Sequence, residues 1–350
     1  MMTQEQVLAA LSHVIEPDLR KDIVTLGLVS GIEITGENSL KLKVSVANPA
    51  MHNKKRMQEA VLFTLQRLLH KDIQAEIDIE ALPKDRDPSL RTVLPQVKHI
   101  VAIASGKGGV GKSTVTANLA MALKNQGLSV GIIDADIFGP SVPILFDVED
   151  QKPVSVTIDG KSWISPVENH GIKLMSIGFF ADPNQAIVWR GPMASKALEQ
   201  MVKDVYWGEL DYLLIDLPPG TSDIHLSMVQ AAPLSGVVIV STPQKVALAD
   251  AQKGVQMFSL PTLKTPILGI VENMAYFTPE ELPNKKYYLF GKDGARKLAE
   301  TLNVPFLGEI PLLQDIREHA DAGKPIGLEP LHPASKAFAQ IALNLHAQIQ

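Results

Sequence analysis

Ser105-Gly106-Lys107-Gly108-Gly109-Val110-Gly111-Lys112-Ser113-Thr114 lies between an apolar run and a helical pattern. It matches the phosphate-binding pattern G-x-x-x-x-G-K-[ST], with a second lysine, Lys107, directly after the first glycine. His99 to Ala104 form an apolar run that reads as a buried strand. Ser113 to Gln126 read as a helix, with Val115, Leu119, Ala122 and Leu123 on one face and Gly127 as the stop. Strand, glycine loop and helix in that order are the context the pattern requires. Glycines let successive N–H groups turn inward around a phosphate chain, and the helix start adds free donors and partial positive charge. Gly106, Lys107, Gly108, Gly109, Val110, Gly111, Lys112, Ser113 and Thr114 are therefore read as nucleotide-binding. Lys112 would bridge the terminal phosphates, Ser113 would hold Mg²⁺, and Thr114 would touch the first phosphate.

The bulk numbers frame this loop. A chain of 350 residues favours about two domains. With 45% hydrophobic and 20% charged residues it can build a large core. A net charge of −5 gives no basic footprint, so neither nucleic acid nor an anionic membrane is expected as a partner. No apolar run approaches the length of a membrane span. The opening Met1-Met2-Thr3-Gln4-Glu5-Gln6 has neither the basic nor the apolar part of a signal peptide, and a cytoplasmic protein is expected. The chain contains no cysteine, which excludes disulfides, thiolate metal sites and a cysteine nucleophile.

Residues 1–80 read as a small α/β domain. Thr3 caps a helix carrying Val7, Leu8, Leu11 and Ile15, which Pro17 ends. Leu28–Ile34 and Leu40–Val46 alternate like paired strands around the turn Gly36-Glu37-Asn38. Lys54–Leu69 is an amphipathic helix, and Ala75–Ile79 a third strand. Residues 81–98 are a linker by composition, with three prolines and mixed charge. From 99 to 350, apolar runs alternate with helical patterns: Ile100–Ala104, Ser129–Ile133, Ile172–Ile177, Tyr212–Ile215, Gly236–Val240, Ile267–Val271 and Pro305–Ile310. That alternation predicts an α/β fold with a mostly parallel sheet flanked by helices.

Hydrolysis needs more than a phosphate cradle, and parallel sheets place functional groups at strand C-terminal ends. Gly131-Ile132-Ile133-Asp134-Ala135-Asp136 puts two carboxylates there, spaced to share a side while the chain stays extended. Asp136 is the candidate for orienting the attacking water, and Asp134 a candidate second-sphere metal group. Leu213-Leu214-Ile215-Asp216-Leu217-Pro218-Pro219-Gly220 is an apolar strand ending in aspartate, the Walker B pattern, so Asp216 should hold Mg²⁺ through water. The N–H of Gly220 is placed to sense a γ-phosphate. Val271-Glu272-Asn273-Met274-Ala275-Tyr276 has Tyr276 where the guanine-reading Asp of an N-K-x-D motif would stand, which disfavours GTP. The Asn273 amide suits adenine, although an asparagine after a strand also serves as a turn residue.

The loop K-G-G-x-G-K-[ST], with Asp134–Ser141, Val188–Met193, Asp216–Asp223, Glu272–Met274 and Gly308-Glu309-Ile310-Pro311, resembles the MinD-like ATPases of the SIMIBI class, and more closely their Mrp/ApbC group. Glu16–Leu19 and Asp22–Val29 resemble the small domain found in iron–sulfur assembly factors. The resemblance implies a homodimer that sandwiches two ATP molecules, with Lys107 reaching the partner subunit's phosphates as a catalytic group beside Lys112 and Asp136. It adds Pro311 to the nucleotide-binding set. It also implies a carrier or assembly role for an iron–sulfur cluster, delivered to an apoprotein or assembly partner. The pattern departs at one place. Family members hold the cluster through C-x-x-C just after the N-M segment, where this chain has Phe277-Thr278-Pro279-Glu280-Glu281-Leu282-Pro283. A cluster is thus implied by resemblance alone, without cysteine ligands. His52 and His225 have no cluster spacing.

Two other readings use the same loop. One is an ATP-switched scaffold or positioning protein of the MinD type. Its membrane release would need a basic amphipathic tail, whereas Pro333–Gln350 carries Phe338, Ile341, Ala342, Leu345 and Ile349 on one face and Lys336 with His346 as its only basic residues. That composition predicts a helix packed on the core. The other is a kinase-like enzyme, for which no acceptor pocket is legible.

Overall fold

The computed structural model describes residues 2–16, 21–36, 38–46, 51–81, 93–137, 139–180, 191–221, 223–260, 263, 265–279 and 281–349. The chain divides into two compact units, Met1–Pro95 and Gln96–Gln350. Most of the expected linker, residues 82–92, lies outside the described residues, as do Pro17–Leu19, Asn48–Ala50 and Val188–Arg190.

The first unit builds a three-stranded sheet with Ser39–Val46 at its centre, antiparallel to Val29–Ile34 and parallel to Gln74–Ala81. Alternation along Ser39–Val46 turns Leu40, Leu42, Val44 and Val46 inward. They meet Val7 and Leu11 from the helix Gln4–Leu11, and Val61 and Leu65 from the helix Met51–Leu68. Thr3 and Gln6 form the capping box at the first helix. That helix stops at Leu11, short of the expected Ile15. The Ser12 hydroxyl donates to the Ala9 carbonyl at 2.7 Å and the His13 ring lies 3.2 Å from it, so both side chains compete for the helix's own acceptor. Ile15–Glu16 then pairs antiparallel with Lys21–Asp22.

The second unit is an eight-stranded sheet. Across it the strands run Val167–Asn169, Ile172–Ser176, Val130–Asp134, Leu210–Asp216, Val97–Ala104, Gly236–Ser241, Ile267–Glu272 and Phe306–Glu309. All neighbouring pairs are parallel except the edge pair Val167–Asn169 with Ile172–Ser176. Strands covered on both faces read as unbroken apolar runs, which is why this half was visible in the sequence. The helix Lys112–Asn125 packs on the sheet and against the C-terminal helix Pro333–Ala347, whose Phe338, Ile341, Ala342 and Leu345 are buried. The C-terminal helix is thus a core element, as its composition predicted. A surface hairpin, Val154–Ile158 with Lys161–Ser165, was not anticipated. Among the described residues no helix is long and apolar enough to cross a membrane.

Chain order fixes where a ligand can sit. From Val97–Ala104 the chain moves outward on one side, returns to place Leu210–Asp216 beside it, then continues on the other side with Gly236–Ser241. The crevice at the C-terminal end of Val97–Ala104 is therefore the switch point of the sheet, and the glycine loop emerges there.

Candidate nucleotide site

The loop is held from several directions. Gly109 and Gly111 take left-handed φ values of 78° and 77°, which L side chains rarely adopt, and Gly111 leads directly into the helix at Lys112. Gly106 is required for a different reason. A Cβ there would overlap the backbone carbonyl of Asp250 in the helix Lys245–Phe258. From the other side, Asn273 Nδ2 donates to the Val110 carbonyl at 2.8 Å, and its own N–H donates to Ser241 at 2.8 Å. The Asn273 side chain, expected beside the base, therefore also braces the loop. Met274 follows it in a left-handed turn at φ 55°.

At the loop's end the groups converge on Asp216. Its carboxylate is fully buried. Oδ2 accepts from Ser113 Oγ at 2.5 Å and pairs with Lys112 Nζ at 2.8 Å. Oδ1 accepts from Thr116 Oγ1 at 2.6 Å. Thr116 was not singled out in the sequence, where it looks like one more residue of an apolar helix. Its signal would have been a hydroxyl on a buried turn, four residues after Lys112, which must find a partner.

Asp134 and Ser176 stand in register with Asp216 on consecutive strands. Asp134 is fully buried, and both its oxygens are engaged. They accept from the N–H groups of Asp136 at 3.1 Å and Val142 at 3.0 Å, and from Ser176 Oγ at 3.0 Å. The carboxylate thus pins the turn that carries Asp136. Burial, then the neighbouring Asp216 charge, push the Asp134 carboxyl up to about 7, while the two N–H groups pull it down. Asp136 is half-buried at the crevice edge, as is Lys107 on the loop. The Gly220 N–H donates to the Ser105 carbonyl at 2.9 Å, so its sensing of a phosphate requires exchange of that partner. Gly220 itself has a left-handed φ of 88°.

Pro311 follows the last strand and is buried. Its neighbours tie it to the Asn273 segment, since Ala275 N–H donates to Ile310 at 2.9 Å and Leu312 N–H to Tyr276 at 2.7 Å. Glu272, part of the Glu272–Met274 segment but given no role from the sequence, accepts from Ala295 N–H at 2.5 Å at the start of the helix Gly294–Leu302. Burial raises its pKa, and that contact opposes the rise. Among the described residues no group of three or more His, Asp and Glu is placed to hold a metal ion by itself. His225 is buried against Phe258 and belongs to the core.

The donor set fits a nucleotide with Mg²⁺. Hydroxyl and carboxylate oxygens 2.5 Å apart are the hard ligands that ion takes, and a buried ammonium lies beside them. It does not fit an iron–sulfur cluster, because no thiolate exists in the chain.

Comparison with known proteins agrees with this geometry. The family described as NUBPL iron-transfer P-loop NTPase matches residues 96–346, and the family described as iron–sulfur cluster assembly protein matches residues 4–77. An iron–sulfur cluster carrier protein of Synechocystis sp. is 39% identical over 100% of this chain and 98% of its own length. The iron–sulfur cluster transfer protein NUBPL of Dictyostelium discoideum is 44% identical, covering 76% of this chain and 81% of its own. Among solved structures, a nucleotide-binding protein of Archaeoglobus fulgidus in complex with ADP is 41% identical, with a TM-score of 0.60 over 72% of this chain and 96% of its own. The cell division ATPase MinD of Pyrococcus furiosus, 24% identical with a TM-score of 0.53 over 71% of this chain and 98% of its own, shares the fold. The chain belongs to the NUBPL iron-transfer family of P-loop NTPases and carries in front of that unit a domain of the iron–sulfur cluster assembly type.

Proposed function

We propose that this protein hydrolyses ATP as a homodimer and uses that turnover in iron–sulfur cluster transfer, the cluster being cargo. The observation that carries the reading is the convergence of Lys112, Ser113 and Thr116 from one helix start on the buried carboxylate of Asp216. The loop Gly106–Thr114 cradles the phosphates. Asn273 and Pro311 border the base, and the ADP bound by the Archaeoglobus relative supports adenine. Ser113 and, through water, Asp216 would hold Mg²⁺, with Asp134 behind them. When bound, that ion supplies positive charge against the phosphate oxygens.

In this reading Asp136 orients the attacking water, and the Asp134 carboxylate fixes the turn from which it acts. Lys112 draws charge from the terminal phosphates, and Lys107 does the same across the dimer. Gly220 senses the γ-phosphate by giving up Ser105. The cargo role comes from the relatives named as cluster carrier and transfer proteins. Purified protein is expected to release phosphate from ATP only with Mg²⁺. Asp136→Asn should keep ATP binding while turnover drops by about 100-fold or more. Undiminished turnover in that variant removes Asp136 from the mechanism, and a wild-type protein without turnover refutes the ATPase itself.

A further inference from the structure

We propose that Thr116 is a positioning residue for the Mg²⁺ site: its hydroxyl fixes Oδ1 of Asp216, so that Oδ2 stays turned toward Ser113. The proposal rests on the ATP-site reading above. An aspartate's terminal torsion is broad, so burial alone does not decide which oxygen faces the metal. Three donors set it here, all from the first turns of one helix. Two of them, Lys112 Nζ and Ser113 Oγ, are the groups that phosphate and metal claim when nucleotide binds. Thr116 is 0% exposed and donates to the other oxygen, so its hydroxyl stays on Asp216 when those two groups are drawn away.

The hydroxyl has one proton and two acceptors in reach, the Lys112 carbonyl at 3.1 Å and Asp216 Oδ1 at 2.6 Å. The shorter contact, to a carboxylate, takes the proton. The neighbours Val115, Ala117, Leu119 and Ala120 are apolar and buried, so a hydroxyl at 116 has a burial cost, which its bond to Asp216 offsets with the Lys112 carbonyl as the weaker alternative. Partners one sphere out from a metal ordinarily govern affinity for it.

The test is the Mg²⁺ dependence of binding of a fluorescent ADP analogue to the full-length protein, compared with binding in EDTA. Thr116→Val keeps the shape and loses the hydroxyl. It should raise the half-saturating Mg²⁺ concentration by about 10-fold or more and leave metal-free binding unchanged. Thr116→Ser should restore the wild-type value, which a residue serving only packing would not do. Wild-type Mg²⁺ dependence in Thr116→Val overturns the proposal. Where Thr116→Val does not fold, as judged by circular dichroism, Thr116→Ser and Thr116→Ala decide, and equal Mg²⁺ dependence in those two overturns it. A wild-type protein that binds no nucleotide, or binds it without regard to Mg²⁺, fails the underlying ATP-site reading instead, and the proposal falls with it.

Discussion

Lys112 shows how one residue serves structure and chemistry together. Its side chain is 6% exposed, and its ammonium lies 2.8 Å from the carboxylate of Asp216, whose side chain is 0% exposed. Removing one member of a buried pair leaves the other charge without compensation, at a cost of about 3 kcal/mol or more. Lys112→Ala is therefore expected to lose ATP turnover and also to lower stability in urea melts by about 3 kcal/mol. The double variant Lys112→Ala/Asp216→Ala should lose less than the two singles added together, because the residual charge is gone. Strict additivity would show that the pair is not coupled. The sequence made Lys112, Ser113 and Asp216 legible because their chemistry demands fixed residue types at fixed spacing. It did not reveal Thr116 or Ser176. Both act on an aspartate from another segment, 100 positions away for Thr116 and 42 for Ser176, and no local pattern encodes that distance. Asn273 was legible as a polar residue at a strand end, but its grip on the Val110 carbonyl appears only when the sheet brings together segments 163 positions apart.

At the scale of elements, the sheet is tied at its opposite end by Asp211. Its carboxylate accepts from Lys98 Nζ at 2.6 Å and from the N–H and hydroxyl of Ser129, each at 2.8 Å. These contacts join the starts of the strands Val97–Ala104, Val130–Asp134 and Leu210–Asp216. Burial would raise the Asp211 pKa, but the Lys98 ammonium and the Ser129 donors outweigh it and hold it at about 2. Because the folded value lies below the ordinary 3.8, the stabilisation is present above pH 3.8 and lost as pH falls through about 2. Asp211→Asn should cost about 1–2 kcal/mol at pH 7, after allowance for solvent screening. The gap from wild type in denaturant melts should narrow between pH 4 and pH 2 (about the interval between the two pKa values). A gap that stays constant over that interval would remove the carboxylate as its cause. The central strands were legible because both their faces are covered and their apolar runs are unbroken. The hairpin Val154–Ile158 with Lys161–Ser165 was not, because it is largely exposed and carries no such run. Its signal was the pair Asp159-Gly160, left-handed at φ 51° and 76°, a turn suited to a two-residue hairpin. His170-Gly171, at φ 50° and 69°, turns the edge pair in the same way.

At the scale of the whole molecule, the chain combines the phosphate loop of an iron-transfer P-loop NTPase family with a sequence that carries no thiolate. The Synechocystis carrier aligns over 100% of it, so the cysteine-free sequence is set on the full family framework. The segment after Met274, where the resemblance expects C-x-x-C, is instead built around aromatic rings. Phe277 exchanges both backbone hydrogen bonds with Tyr287 at 2.8 Å, and Lys286 Nζ sits 3.5 Å from the centre of the Tyr276 ring. None of these side chains is an iron ligand of the kind clusters use. Anaerobic incubation of the protein with ferrous iron, sulfide and thiol, followed by gel filtration, should give no stoichiometric iron and no cluster absorption in the protein peak. ATP turnover should be the same before and after that treatment, because the groups around Asp216 are all oxygen and nitrogen donors within one compact unit. A cluster that stays with the protein through gel filtration would mean that non-thiolate ligands suffice and would overturn the separation of nucleotide site from cargo. A bare apoprotein with full turnover would mean that the cluster's ligands, in any transfer this protein takes part in, belong to the protein it works with.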